Sequence, residues 1–358
     1  MKPLKIAMMS MTHGHTRKYY QTLMENPKLE WVAVSTANDE VKEIFLNSVK
    51  GIPCYDSELE MLNAHPDIEA VVLASENSEH LRQMRLCAER GIHILSMKIP
   101  TFDMNEYDEM IKLVDENSLV CQVELEMHYN PVIARLKEIV KTGDIGKIKS
   151  FNATNITLSP VWAFPWQGVP EKSYGKRVPI KENDGRFRGG ALCDHPHIFD
   201  MIRHVTGSEF ELIYAEVAPN IRPDIEEEDM LSVIGRMKDG TVFSLDPSWS
   251  KMEERLKVPG PGWEVFPKRM EVNITLNGEN GSIMADCFGP NVYHNGCPND
   301  RYTVQYTYFD EWIGLIDEFV DNIRNHKTPL INLKWHRKSI EAMNAVYESI
   351  KMGKAVRL

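Results

Sequence analysis

Residues 189–197 read Gly-Gly-Ala-Leu-Cys-Asp-His-Pro-His, which sets a carboxylate, Asp194, beside two imidazoles, His195 and His197. An acid next to two imidazoles can move protons near neutral pH or ligate a divalent metal. An apolar helical pattern follows at 198–206 and stops at Gly207. Helix capping accounts for part of this segment. Asp194 would accept the free N–H groups of a first turn, Pro196 suits an early helical position, and Gly207 closes the helix. Capping leaves both histidines unexplained, so the segment reads as a functional site. Cys193 adjoins it.

A chain of 358 residues is too long for one compact core, so two domains are expected to position that site. Apolar content of 42% and charged content of 26% are those of a globular protein. The net charge of -11 offers no basic surface for a phosphate backbone, which argues against a nucleic-acid partner. No segment approaches the roughly 20 apolar residues of a membrane span. Residues 4–9 follow Met1-Lys2-Pro3 and read as a strand rather than a signal peptide. The six cysteines, at 54, 87, 121, 193, 287 and 297, show no CxxC spacing. That suits reduced thiols in the cytoplasm and argues against a thiolate zinc site.

The first 130 residues alternate short apolar runs with helical periods. The runs lie at 6–9, 31–35, 70–74, 93–96 and 120–123, with helices at 16–24, 78–90 and 104–117 between them. This is the pattern of βαβ units in a doubly wound parallel sheet. After a helix at 131–142, strand-like runs at 148–158, 213–217, 231–237, 242–245, 269–276 and 304–308 predict a largely antiparallel sheet. Two long helical patterns follow, at 310–324 and 333–351. Residues 160–179 and 219–229 read as long loops. The fold class is therefore α/β: an N-terminal doubly wound sheet over 1–128, then an α+β domain with a large, mostly antiparallel sheet over 129–358.

Ligands of doubly wound sheets bind beyond the carboxyl ends of the strands. After the first run the chain reads Ser10-Met11-Thr12-His13-Gly14-His15, where a dinucleotide turn would carry G-x-G-x-x-G; only Gly14 is a glycine. The second run ends in Ser35-Thr36-Ala37-Asn38, without the acid that holds a ribose and without an arginine cluster. NAD and NADP are both left open.

Several segments in order resemble the glucose–fructose oxidoreductase / inositol dehydrogenase (Gfo/Idh/MocA) family. Residues 70–80 (AVVLASENSEH) resemble its A-T-P-N-x-x-H turn, and 91–100 (GIHILSMKIP) its G-K-H-V-L-x-E-K-P strand and loop. Residues 142–148 open the second domain, 189–197 supply the G-G-x-x-x-D…H site, and 276–283 resemble a late hairpin. The resemblance spans essentially the whole chain and implies a Rossmann-like first domain. It also implies hydride transfer between NAD or NADP and a ring hydroxyl or ketone of a sugar, polyol or sugar derivative. Lys98 and His197 would be the working pair. Lys98 would bond the reacting hydroxyl and His197 would take its proton.

Asp194 matches the family's aspartate three rather than four residues before the histidine, and His195 is an alternative for either partner's role. Ser10, Thr12, His13, Gly14, His15, Thr36, Ser75, Asn77, His80 and Lys98 would face the cofactor. For His80, as for His93 and His204, a core or helix-end role is the plainer reading. Glu124, Glu126, His128 and Tyr129 follow the run at 120–123, from which family members reach the substrate, and Glu124 and His128 are assigned there. Trp162 and Trp166, with Phe164 and Tyr174, offer aromatic faces to a sugar ring, or else form an arm that packs on a second subunit. Arg177, among Lys176, Arg186 and Arg188, could meet an acidic substrate group. A homo-oligomer, a dimer or tetramer, is expected.

An alternative follows from the altered turn and from Met97 and Ile99 in place of Glu and Pro. A decayed cofactor site would leave Asp194, His195 and His197, joined by Glu124 or His128, to hold a divalent metal such as zinc or manganese. Such a centre would run lyase or hydrolase chemistry on an oxidised sugar. A non-catalytic ligand-binding subunit is a third reading.

Overall fold

The computed structural model describes residues 2–13, 15–158, 190–221, 228–250, 270–289, 291–295, 301–305 and 310–358. The chain divides into two units. The first holds Met1–Glu126 and Trp312–Arg337; the second holds Met127–Ser159, Glu311 and Lys338–Leu358 together with the described residues between 190 and 305. The segment Trp312–Arg337, read from sequence as part of 129–358, clusters with the first unit.

In the first unit the elements alternate as β1 (Leu4–Met9), α1 (Thr16–Glu25), β2 (Leu29–Ser35), α2 (Asp39–Ser48), β3 (Cys54–Tyr55) and α3 (Glu58–Ala64). They continue as β4 (Ala70–Leu73), α4 (Asn77–Ala88), β5 (His93–Ser96), α5 (Met104–Glu116) and β6 (Cys121–Val123). Side-chain caps set three helix starts, with Asn38, Ser57 and Asp103 accepting from the N–H groups of Val41, Glu60 and Asn105. The strands are all parallel in the order β3-β2-β1-β4-β5-β6, the doubly wound arrangement with a switch point between β1 and β4. Both faces are covered, which is why β4 and residues 6–9 of β1 read as unbroken apolar runs whose members are buried. Register aligns the strand ends: Tyr55, Ser35, Met9, Leu73, Ser96 and Val123 form one row. The residues just past that row, Ser10, Thr36, Ala74, Met97 and Glu124, therefore share the carboxyl edge.

The second unit begins with α6 (Pro131–Thr142), capped by Asn130 and closed by Gly143 in the left-handed conformation (φ 78°). Next come β7 (Ile148–Leu158), a single turn α7 (Ala191–Asp194) and α8 (His197–Thr206). The strands β8 (Phe210–Val217), β9 (Leu231–Met237), β10 (Val242–Asp246), β11 (Trp249–Ser250), β12 (Met270–Gly278), β13 (Ser282–Asp286), β14 (Asn291–Asn295) and β15 (Arg301–Gln305) follow. The chain continues through α9 (Glu311–Arg324) and α10 (Leu333–Met352) to β16 (Val356–Arg357).

The ten-stranded sheet runs β15-β14-β13-β12-β7-β10-β9-β8-β16, with β11 pairing β7 off this path. It is antiparallel except where β7 pairs in parallel with β10 and β11. Helices α6 and α8 pack on one another and α8 packs on β7. Residues 197–205 of α8 are all buried, and Ile198, Phe199, Met201 and Ile202 contribute about 2 kcal/mol each by leaving water. On the other face a cross-strand row runs Ile234, Ser244, Asn152, Thr275, Met284, Tyr293 and Thr303, with Ile234, Met284 and Tyr293 exposed.

Candidate active site

Two clusters of chemically able side chains lie one in each unit. In the first unit, Ser10 takes φ 58°, the left-handed conformation that a glycine would supply at the start of a dinucleotide turn. Its hydroxyl lies 3.2 Å from that of Thr12. At Ser10 the backbone thus takes a glycine's conformation, and Ser10 and Thr12 put hydroxyls where the motif has glycines. His13 is tied down at both ring nitrogens. Nδ1 accepts from the N–H of His15 (3.2 Å), so Nε2 carries the proton and donates to the carbonyl of Lys98 (2.9 Å). Burial first, then the charges of His15 and Lys98, push His13 well below the ordinary histidine range and keep it neutral.

Glu124 is fully buried at the end of β6. One of its oxygens meets His15 Nδ1 at 2.7 Å, while the other accepts from the N–H of Lys98 at 3.3 Å. The main chain of Lys98 is therefore gripped from both sides, by Glu124 at its N–H and His13 at its carbonyl. The Lys98–Ile99 peptide is cis. Lys98 itself is 8% exposed. The His15 ring is held edge-on by His13 (centroids 5.1 Å apart) and Trp312 (5.2 Å), and Trp312 is held in turn by Tyr19.

The remaining cofactor-side expectations are placed as follows. Thr36 is buried just past β2, its hydroxyl accepting from the N–H of Asn38 (3.2 Å). The Ser75 hydroxyl donates to Gln83 (2.7 Å), Asn77 opens α4, and His80 is fully buried with Nδ1 on the carbonyl of Pro100 (3.1 Å). Burial lowers His80 to about 4, against the backbone carbonyls that raise it. His80 thus tethers the loop that carries Lys98, which is the plainer role. Gly14, Trp162, Phe164, Trp166, Tyr174, Lys176, Arg177, Arg186 and Arg188 lie outside the described residues.

In the second unit Gly190 (φ 93°) opens α7, and a side chain there would meet Glu228 at 2.6 Å. Asp194 closes that turn, and its carboxylate accepts from the indole N–H of Trp249 at 2.9 Å. The expected helix cap is corrected by this arrangement: the N-cap of α8 is Pro196, because α7 ends before it. Gly207 closes α8 at φ 70°, as expected. His195 is 1% exposed, its Nε2 2.9 Å from the hydroxyl of Thr157 and 3.6 Å from Asp194.

His197, 6% exposed, is the first residue of α8, and the helical spacing i, i+3, i+7 puts Asp200 and His204 on the same face. Asp200 is fully buried and binds His128 Nε2, the hydroxyl of Ser339 (2.9 Å) and Arg203. The His128 and His204 rings sit 4.2 Å apart, and burial, with His128 and Lys137 adding to it, pushes His204 down to about 3. His128 is thus a partner of Asp200 within a buried network. Asp200 was detectable from its spacing to His197; Thr157 and Trp249 carry no local signal.

Among the described residues, His15, Glu124 and Glu126 each place one possible metal-donor atom within 4.8 Å of the others.

A doubly wound parallel sheet with a glycine-like turn after β1 and a buried lysine after β5 defines a dinucleotide-type α/β oxidoreductase scaffold. Residues 9–125 match the model of the oxidoreductase family with an NAD-binding Rossmann fold, and residues 133–284 match the GFO/IDH/MocA C-terminal domain. The chain belongs to the Gfo/Idh/MocA family.

It is 22% identical over 347 residues to myo-inositol 2-dehydrogenase of Thermotoga maritima, covering 93% of this chain and 94% of that one. It is 26% identical over 147 residues to scyllo-inositol 2-dehydrogenase (NAD(+)) of Bacillus subtilis, covering 40% and 37%. The WlbA dehydrogenase from Bordetella pertussis, solved with NADH and UDP-GlcNAcA, superposes with a TM-score of 0.74 at 18% identity, over 100% of this chain and 99% of that one.

Proposed function

We propose that the protein is an NAD- or NADP-dependent dehydrogenase of a ring hydroxyl in a sugar, polyol or sugar derivative, with Lys98 and His197 as the working residues. The double grip on the Lys98 main chain by His13 and Glu124 is the observation that carries this reading. A catalytic ammonium must be held where the reacting oxygen will sit, and these two hydrogen bonds fix the stretch of main chain from which the Lys98 side chain extends. A nicotinamide, when bound, supplies the hydride acceptor. Ser10 and Thr12 would line its phosphates, the left-handed conformation at Ser10 supporting this, and Thr36 would replace the usual acid at the ribose.

Lys98 donates a hydrogen bond to the reacting oxygen, and His197 takes the hydroxyl proton, work suited to an imidazole. His195, steadied by Thr157, and Asp194, steadied by Trp249, stand beside it. The names of the inositol dehydrogenases support a polyol substrate. The free thiols of Cys54, Cys87, Cys121 and Cys287 suit a cytoplasmic location. The exposed row at Ile234, Met284 and Tyr293 suits a homo-oligomer, which light scattering would weigh.

The test combines NADH and NADPH fluorescence titration with a screen of inositols and aldoses for nicotinamide reduction. Binding of one dinucleotide and turnover of a polyol are expected. Lys98→Ala and His197→Ala should each lower kcat by about 10²–10⁴-fold with the dinucleotide Kd little changed. A protein that binds neither dinucleotide would sink the proposal.

A further inference from the structure

We propose that His15, Glu124 and Glu126 form a divalent-cation site on the carboxyl edge of the parallel sheet. This goes beyond the hydride reading and does not depend on it. The three residues come from two places in the chain. His15 ends the turn after β1, and Glu124 and Glu126 follow β6, two positions apart.

One donor atom from each lies within 4.8 Å of the other two, so side-chain adjustments of less than about 1 Å bring all three to coordination distance of one ion. Glu124 is fully buried and Glu126 is 9% exposed. Two carboxylates this close in a low-dielectric setting repel each other, and a cation between them relieves that repulsion.

The donors are also pre-set. Glu124 is oriented by the Lys98 N–H, and the His15 ring is wedged between His13 and Trp312. Such outer contacts fix a ligand's direction before the ion arrives. His15 stands as the N-cap of α1 yet makes no side-chain bond to the helix; its Nδ1 is turned to Glu124 instead. One imidazole nitrogen with two carboxylate oxygens suits manganese or zinc, and three protein donors leave a position for water or a substrate oxygen.

The experiment uses full-length protein stripped with chelator, dialysed, and titrated by calorimetry with Mn²⁺ and with Zn²⁺ in the absence of nucleotide. One equivalent per chain is expected. Electron spin-echo spectra of the Mn²⁺-loaded wild-type protein should show one directly bound imidazole nitrogen. Glu124→Gln, Glu126→Gln and His15→Gln should each weaken binding by about tenfold or more, with circular dichroism showing which variants remain folded.

Absence of binding to the wild-type protein, a bound ion without the nitrogen signal, or unchanged affinity in folded variants would each overturn the site. NADH titration of the same stripped protein reads the hydride proposal separately, so the two can fail independently.

Discussion

His80 is fully buried, and burial holds it at about 4 instead of 6.5. Below pH 6.5 the unfolded chain takes up a proton that the folded chain refuses, so stability falls as the pH drops from 6.5 towards 4 and the loss is complete below that. A displacement of that size corresponds to about 3 kcal/mol in full, of which about 2 kcal/mol is already lost at pH 5 relative to pH 8. In His80→Asn the amide N–H₂ can keep the donation to Pro100 while removing the titration. Urea unfolding at pH 8, 6 and 5, read by pulsed hydrogen–deuterium labelling of peptides from β4 and β5, follows the first unit alone. The wild-type midpoint should fall more steeply with acid than that of the variant, by the equivalent of about 2 kcal/mol at pH 5. His13 and His204 titrate in the same direction but are common to both proteins. Parallel pH profiles would refute the reasoning.

Asp200→Asn takes the charge out of a buried cluster that includes Arg203 and His128, and should cost about 3 kcal/mol, read as a lower urea midpoint for the second unit. Gly190→Ala puts a methyl into Glu228 at a left-handed backbone position; a loss of at least about 2 kcal/mol, seen as a lower thermal midpoint, is expected. Ser10→Gly relaxes the left-handed strain and should raise the first unit's stability by about 1 kcal/mol, with an unchanged or lower midpoint counting against the strain.

Where the chemistry is local, the sequence announces it. The apolar runs of β1 and β4, the Asp103 cap and the Gly207 stop are each a few residues with one physical meaning, and each lies where expected. The stretch 36–69 gave no expected element, although Asn38 and Ser57 are cap signals for α2 and α3. Short helices and a two-residue strand have too little periodicity to show. Long-range pairing was invisible: the parallel match of β7 with β10 depends on a register set some 90 residues apart. Glu124 reads from sequence as a substrate-side residue, but its partner His15 lies 109 residues away and is apparent only in three dimensions. For the same reason the sequence offers a helix cap as the plain role of Asp194 beside the functional one, since its indole partner Trp249 lies 55 residues downstream.

The far edge of β6 is closed late. Gln122 donates to the carbonyl of Leu315, 193 residues on, Val123 donates to Ile331, and Gln122 bridges to Asn332. A ribosome adding about 5–20 residues per second needs roughly 10–40 s to deliver that segment after β6 has emerged. Throughout that interval the nascent sheet has an uncovered strand edge, open to pairing with another chain. The first unit therefore begins with β1 but is finished only once residues 315–332 have been made, and chains released before residue 331 should be the ones that chaperones hold or that aggregate.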